Sequence, residues 1–206
     1  IILEIEDGMG IFIECDNKSV PSDKTNLAYR AAEIFFKTTG ITKKLFIKIN
    51  KNTPVAGGLG GGSSNAAIIL KALNDSLSAN LSQEDLKKLG GTIGSDIPFF
   101  ISGKSSIAKG RGEILEQVEL PNFWYILINP RFPVSTQWVY QNLNLTKRAD
   151  EFNIIFLKKL QNNPLGLQEL LINDLEAVTI KKHPIIKEIK DVLISLGAVS
   201  ALMSGS

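Results

Sequence analysis

Residues 54–67 read Pro-Val-Ala-Gly-Gly-Leu-Gly-Gly-Gly-Ser-Ser-Asn-Ala-Ala, with glycines at 57, 58, 60, 61 and 62. Glycine lets a backbone turn tightly and bring bare N–H groups close to an anion. The serines open a stretch, 63–77, that is nearly all apolar or small, which predicts a helix buried on most faces. A helix N-terminus adds N–H donors without helical partners and about half a positive charge. Upstream, Leu45–Ile49 alternates as a strand and runs into the loop. Strand, glycine loop and helix in that order make a phosphate cradle. A flexible linker has similar glycine content, but linkers rarely end in serines that open an apolar helix.

Two common phosphate loops are excluded. A Walker A loop ends Gly-Lys-Ser/Thr, whereas Asn65 and Ala66 follow the serines here. The other candidate, Gly103-Lys104-Ser105, has Pro98 where the leading glycine belongs. No register of 57–62 gives Gly-x-Gly-x-x-Gly, because the last position falls on Ser63 or Asn65.

Around the loop, residues 1–14 hold two alternating runs, Ile1/Leu3/Ile5 and Ile11/Ile13, either side of Asp7-Gly8-Met9-Gly10, and predict a β-hairpin. Asn26–Lys37 carries Leu27, Ala31, Ile34 and Phe35 at helical spacing. Ser82-Gln83-Glu84-Asp85 reads as a capping box for a helix to Leu89 closed by Gly90-Gly91. Asp96-Ile97-Pro98-Phe99-Phe100 starts another short element, while Ser105–Leu115 and Trp124–Asn129 read as strands. Past Thr146 the composition shifts towards Leu, Ile, Lys and Asn, with helices expected over 151–161 and 185–196. A boundary near 146–150 divides the chain into 1–146 and 147–206.

The 206 residues are 44% hydrophobic and 21% charged, close to globular averages, so disorder, collagen and disulfide scaffolds are unsupported. Twenty-three basic against 21 acidic residues leave a net charge of +2, too balanced for an electrostatic nucleic-acid binder. No apolar run approaches the roughly 18–20 residues of a membrane span. The single cysteine, Cys15, allows no internal disulfide and reads as a packing residue, which favours a reducing cytoplasm. The chain starts without Met on Ile1-Ile2-Leu3 and stops at Met203-Ser204-Gly205-Ser206; both ends read as cuts through structure, with exposed sheet edges expected.

Two further positions invite chemistry. Asp96 lies between Gly94-Ser95 and an apolar Ile97-Pro98-Phe99-Phe100, where lost hydration favours a raised pKa; an N-cap aspartate before Pro98 reads equally well. Tyr140 and Trp138, in Ser135-Thr136-Gln137-Trp138-Val139-Tyr140, suit either packing or stacking on a ring. Lys43-Lys44 and Lys181-Lys182 read as solvated charge pairs, and His183, the one histidine, as a surface residue.

Residues 54–67 resemble the ATP loop of the GHMP kinases, the galactose, homoserine, mevalonate and phosphomevalonate kinase superfamily. Thr25–Ala32, Gly94–Phe100 and Met203–Ser206 fit the same family in the right order, and the triple glycine with Ser-Ser-Asn is most similar to the branch whose acceptor is a cytidine diphosphate-linked methylerythritol. The resemblance implies an α+β fold, with a ribosomal-protein-S5-like N-terminal domain and an α/β-sandwich C-terminal domain that is incomplete. It implies ATP-dependent phosphorylation of that acceptor's 2-hydroxyl in isoprenoid precursor biosynthesis, with no nucleic-acid or membrane partner. Nucleotide contacts would come from Pro54, Val55, Ala56, Gly57, Gly58, Leu59, Gly60, Gly61, Gly62, Ser63, Ser64 and Asn65, with Asn26 near the adenine. Ser63 or Ser64 would reach the Mg²⁺ that accompanies ATP, its other ligands being unassigned. Asp96 would be the active-site acid that accepts or orients the acceptor hydroxyl, and Thr136 and Tyr140 would bind the acceptor, Tyr140 by stacking on cytosine.

Two elements of the family pattern do not occur in the sequence: the Pro-Ala-Lys strand whose lysine pairs with the aspartate, and the Gly-Tyr-His turn of the substrate pocket. The alternatives are a GHMP kinase for homoserine, mevalonate or a sugar, or a non-catalytic module, either a nucleotide sensor or an RNA binder. The Gly-Gly-Gly-Ser-Ser-Asn ending and Tyr140 argue against the first. The near-neutral charge and Asp96 argue against the second.

Overall fold

In the computed structural model, residues 1–143 and 171–205 are described. They form two compact units, Ile1–Val55 with Gly60–Val118, and Ala56–Leu59 with Glu119–Ser206. The fold is α+β. The boundary expected at 146/147 and the helix expected over 151–161 lie outside the described residues.

The first unit is organised by β3 (Lys44–Ile49), whose Leu45, Ile47 and Ile49 are fully buried on one face. β3 lies between β1 (Ile2–Glu6), antiparallel to it, and β2 (Gly10–Cys15), parallel to it. The alternation expected over 1–14 thus marks two real strands, but the hairpin is wrong: β3 separates them. The register explains the preference. Leu3 and Ile5 pair with Ile47 and Leu45, and Ile11, Ile13 and Cys15 pair with Leu45, Ile47 and Ile49. Inserting β3 gives each short apolar run a buried partner row, which direct pairing of two marginal strands would not.

On the sheet's other face Phe12 stacks on Phe46 with centroids 5.0 Å apart. Lys44 sits 4.6 Å from the Phe46 centroid and pairs with Glu6, while Lys43 pairs with Asp7. The two lysines read as solvated are therefore engaged, although surface ion pairs of this kind contribute little to stability.

α1 (Leu27–Thr39) and α2 (Gly61–Ser76) cover the buried face. α1 buries Ala28, Ala31, Ala32 and Phe35, and α2 buries Ala66, Ile69, Leu70 and Leu73, both at i, i+3, i+4, i+7. Three alanines on one stripe let the helices approach closely. α2 starts two residues before the expected Ser63, and Ile68 faces out, so its burial is one-sided rather than all round.

α3 (Gln83–Ile93) has the expected capping box, with the Ser82 hydroxyl accepting from the Asp85 N–H and the Asp85 carboxylate accepting from the Ser82 N–H. It runs through Gly90-Gly91 instead of stopping there. Gly90 is buried, and a Cβ on it would lie 2.6 Å from Ile97 Cγ2, so this glycine permits close packing on α4 (Ile97–Ser102) rather than ending a helix. The expected strand over Ser105–Leu115 is two strands, β4 (Ser106–Lys109) and β5 (Ile114–Gln117), paired antiparallel. Gly110 and Gly112, at φ 68° and 111°, make the turn between them.

In the second unit the expected strand Trp124–Asn129 is not formed; no described residue pairs with it, and Trp124 to Leu127 are largely exposed. α5 (Thr136–Gln141), α6 (Asp174–Lys182) and α7 (Ile185–Ser195) follow. His183 is half-buried and stacked on Phe132 with centroids 4.4 Å apart, and Lys182 lies 4.3 Å from the Trp138 centroid. His183 is thus not the free surface residue that its sequence context suggests, whereas Lys181 and Lys182 are exposed as expected.

Candidate functional site

Four described helices begin with a side chain that accepts from their first turn: Asn26 for α1, Ser82 for α3, Ser135 for α5 and Asn173 for α6. Such a cap is worth about 1 kcal/mol. α2 has none. Its N-cap is Gly60, left-handed at φ 62° and ψ 22°, and the first helical bond runs from Ser64 N–H to the Gly60 carbonyl at 2.8 Å. The N–H groups of Gly61, Gly62 and Ser63 precede that bond, at the positive end of a 16-residue helix. Ser63, Ser64 and Asn65 are half-buried on its first turns.

The glycines around this start are not equivalent. A Cβ on Gly60 would lie 2.6 Å from Phe100 Cζ, so α4 packs on the start of α2 through that ring. A Cβ on Gly62 would meet Leu27 Cδ1 at 3.3 Å, at the start of α1. A Cβ on Gly61 would lie 2.5 Å from Lys51 Nζ. A lysine ammonium therefore lies over the open helix start, with its own backbone N–H held by Asp16 Oδ1 at 2.8 Å. Sequence reasoning missed Lys51. The available signal was a cation placed between β3 and Pro54, in a stretch from 51 to 70 that has no other charge.

Asn26 is 6% exposed. Its Oδ1 accepts from Ala28 N–H at 2.9 Å and its Nδ2 donates to the Pro21 carbonyl at 2.6 Å. Both ends of the side chain thus fix the start of α1, which packs beside Gly62. Pro54, Val55 and Ala56 are exposed, and Gly57 and Leu59 half-buried; Gly58 and Ala56 both have positive φ, at 66° and 55°.

Asp96 occupies the N-cap position of α4 but does not cap it. Ile97 and Pro98 are buried and hold the backbone, while Asp96 itself is exposed. The dehydration expected for it is absent. Ser95 Oγ reaches Asp96 Oδ1 at 3.4 Å, and across from both stands Gly112, where a Cβ would lie 3.7 Å from Asp96 Oδ1.

Asp96 and the start of α2 belong to the first unit, and Thr136 and Tyr140 to the second. Thr136 is exposed at the first position of α5, whose only fully buried residue is Val139. Tyr140 is 59% exposed, while the neighbouring Trp138 packs under Lys182. Among the described residues no group of three acidic, histidine or cysteine side chains could hold a metal.

An open glycine start over a buried helix, with a lysine above it, suits an anion, and a carboxylate stands on the adjoining helix. Residues 26–104 match the family model for the GHMP kinases N terminal domain. The chain is 47% identical over 207 residues to 4-diphosphocytidyl-2-C-methyl-D-erythritol kinase of Syntrophotalea carbinolica, and 42% identical over 207 residues to that of Geobacter metallireducens. Each alignment covers 100% of this chain and 73% of the relative. A solved 4-(cytidine 5'-diphospho)-2C-methyl-D-erythritol kinase matches with a TM-score of 0.76 at 30% identity, over 98% of this chain and 72% of the other. Homoserine kinase from Cytophaga hutchinsonii, at TM-score 0.67 and 18% identity, shares the fold. The fold and the relatives are those of an ATP-dependent GHMP kinase. Within that class the chain belongs to the 4-diphosphocytidyl-2-C-methyl-D-erythritol kinase family.

Proposed function

We propose that the protein transfers the γ-phosphate of ATP to the 2-hydroxyl of 4-diphosphocytidyl-2-C-methyl-D-erythritol, a step of isoprenoid precursor biosynthesis. The observation that carries this reading is the uncapped start of α2 beneath Lys51. Three N–H groups, the helix dipole and an ammonium converge on one place, which suits the negative charge of a polyphosphate. Phosphoryl transfer depends mainly on positioning and on neutralising charge, and this arrangement supplies both without rearrangement.

Pro54 to Asn65 form the nucleotide loop in this reading. Asn26 acts through the start of α1 rather than by offering a free amide. Ser63 or Ser64, half-buried hydroxyls on the first turn of α2, would hold the Mg²⁺ that accompanies ATP. Held there, it would supply positive charge against that of the polyphosphate. Asp96, exposed and faced by Gly112, accepts the proton of the acceptor hydroxyl or orients its oxygen for in-line attack. Tyr140, with most of its ring uncovered, stacks on the cytosine, and Thr136 contacts the acceptor beside it.

The acceptor is a small molecule, and the net charge of +2 gives no electrostatic reason for a nucleic-acid partner. Among the described residues no helix is long and apolar enough to cross a membrane, and a cytoplasmic location fits the single cysteine.

Asp96→Asn in the intact kinase is the direct test. It keeps shape and removes the base, so turnover should fall by about 10²–10⁴-fold while ATP affinity stays within about threefold. Unchanged turnover would take Asp96 out of the mechanism.

A further inference from the structure

The piece of glycine loop that belongs to the second unit, Ala56–Leu59, is held by residues far away in sequence. Ser204 Oγ donates to the Gly58 carbonyl at 2.9 Å. The two backbones interlock here: a Cβ on Gly58 would overlap the Ser204 carbonyl oxygen, and one on Gly205 would lie 2.8 Å from Gly58 Cα. Both positions have positive φ, 66° and 72°, so glycine is required at each for conformation and for approach.

The 203–205 segment is in turn fixed by one turn of α6. Asn173 Nδ2 donates to the Met203 carbonyl at 2.9 Å and to the Gly205 carbonyl at 2.7 Å. Its Oδ1 meanwhile caps α6 through Leu175 N–H at 3.0 Å. Glu176, 9% exposed, accepts from Met203 N–H at 2.7 Å through one oxygen and pairs with Lys190 through the other. A buried carboxylate is costly unless paired and hydrogen-bonded, and here both oxygens are used. Three backbone groups in three residues are therefore clamped by two side chains three positions apart on α6.

We infer that Asn173 and Glu176 are positioning residues for ATP, acting by clamping Met203–Gly205 so that Ser204 holds the Gly58 segment of the nucleotide loop. Gly58 lies within the glycine run of that loop, so holding it narrows the conformations the run can adopt. The clamp touches no reacting group. Its effect falls on how well the loop is held ready before ATP arrives, and ordering a loop in advance lowers the cost of binding. The inference rests on reading 54–65 as the nucleotide loop.

Asn173→Asp separates clamping from folding. Aspartate caps a helix as well as asparagine, so α6 and the melting temperature are kept, but both donors are lost and a carboxylate faces two carbonyl oxygens. Steady-state kinetics of the intact kinase should show KM for ATP raised about tenfold, with kcat within about twofold and KM for the acceptor unchanged. Ser204→Ala, which removes only the last link, should raise the ATP KM by about threefold. Glu176→Ala should match Asn173→Asp, and Glu176→Gln, which still accepts from Met203 N–H, should restore most of the loss. An ATP KM unchanged in Asn173→Asp and Ser204→Ala, in an active parent, overturns the clamp alone. So does a lowered melting temperature with kcat and both KM values degraded together, which marks a merely structural role. An unmodified kinase that transfers no phosphate from ATP would remove the functional reading and the clamp with it.

Discussion

α2 and α5 each carry candidate site residues at or near their starts, and they are built in opposite ways. α2 is long, buries five residues and leaves its first N–H groups without a side-chain cap. α5 is six residues long, fully buries only Val139 and has its start capped by Ser135, whose hydroxyl accepts from Trp138 N–H at 3.2 Å. A helix with glycine in place of a capping side chain loses only about a few tenths of a kcal/mol and gains a place for an anion. A capped helix with an uncovered ring offers a flat surface instead. The difference suggests a division of labour, with phosphate gripped on a rigid platform and the acceptor's base recognised on a lightly packed one.

The largest expected effect comes from attacking the platform. Gly60→Val places a β-branched side chain at positive φ and drives it into Phe100. ATP affinity, measured by titration calorimetry, should fall by at least roughly thirtyfold. The new side chain points at the Phe100 ring of α4, so the loss comes from a deformed helix start as much as from a filled phosphate site. Retained affinity would end the idea of a shaped cradle.

Tyr140→Ala should act on the other helix and on the other substrate. Losing a stacked base costs about 1–3 kcal/mol, so KM for the cytidyl acceptor should rise about 5- to 150-fold with ATP KM unchanged. A rise in ATP KM instead would erase the proposed division.

The smallest effect belongs to a capped start with no ligand to bind. The Ser82 hydroxyl and backbone hold the Asp85 carboxyl below its ordinary 3.8. Its folded value is depressed, so the stabilisation is complete above that pH and is lost as pH falls through the folded value. Asp85→Asn should slightly lower the melting temperature at pH 7 and weaken its fall in acid, while ATP affinity is untouched. An acid melting profile identical to that of the parent would show the capping box to be idle.

Much of this was legible locally. The glycine run, the serines and the apolar helix are consecutive, so one stretch of chain encodes the cradle; the capping box and the Asn26 helix are equally local. Pairing was not. Leu45–Ile49 and Trp124–Asn129 look alike as apolar strands, yet the first is flanked on both sides and the second has no partner among the described residues. Alternation reports a face, not a neighbour, which is also why the 1–14 hairpin was expected where β3 intervenes. Gly90 misled because glycine serves close packing as readily as helix ending, and only Ile97 decides between them. Lys51, Gly112, Asn173 and Glu176 escaped notice because each matters through what the fold brings beside it.

The account stands or falls on the identity of the phosphorylated product. The intact kinase should be supplied with ATP and, in parallel, 4-diphosphocytidyl-2-C-methyl-D-erythritol, homoserine and mevalonate, and the products identified by phosphorus NMR. Phosphate should appear on the 2-hydroxyl of the cytidyl acceptor, with turnover of the other two at background. Faster phosphorylation of homoserine or mevalonate would contradict it.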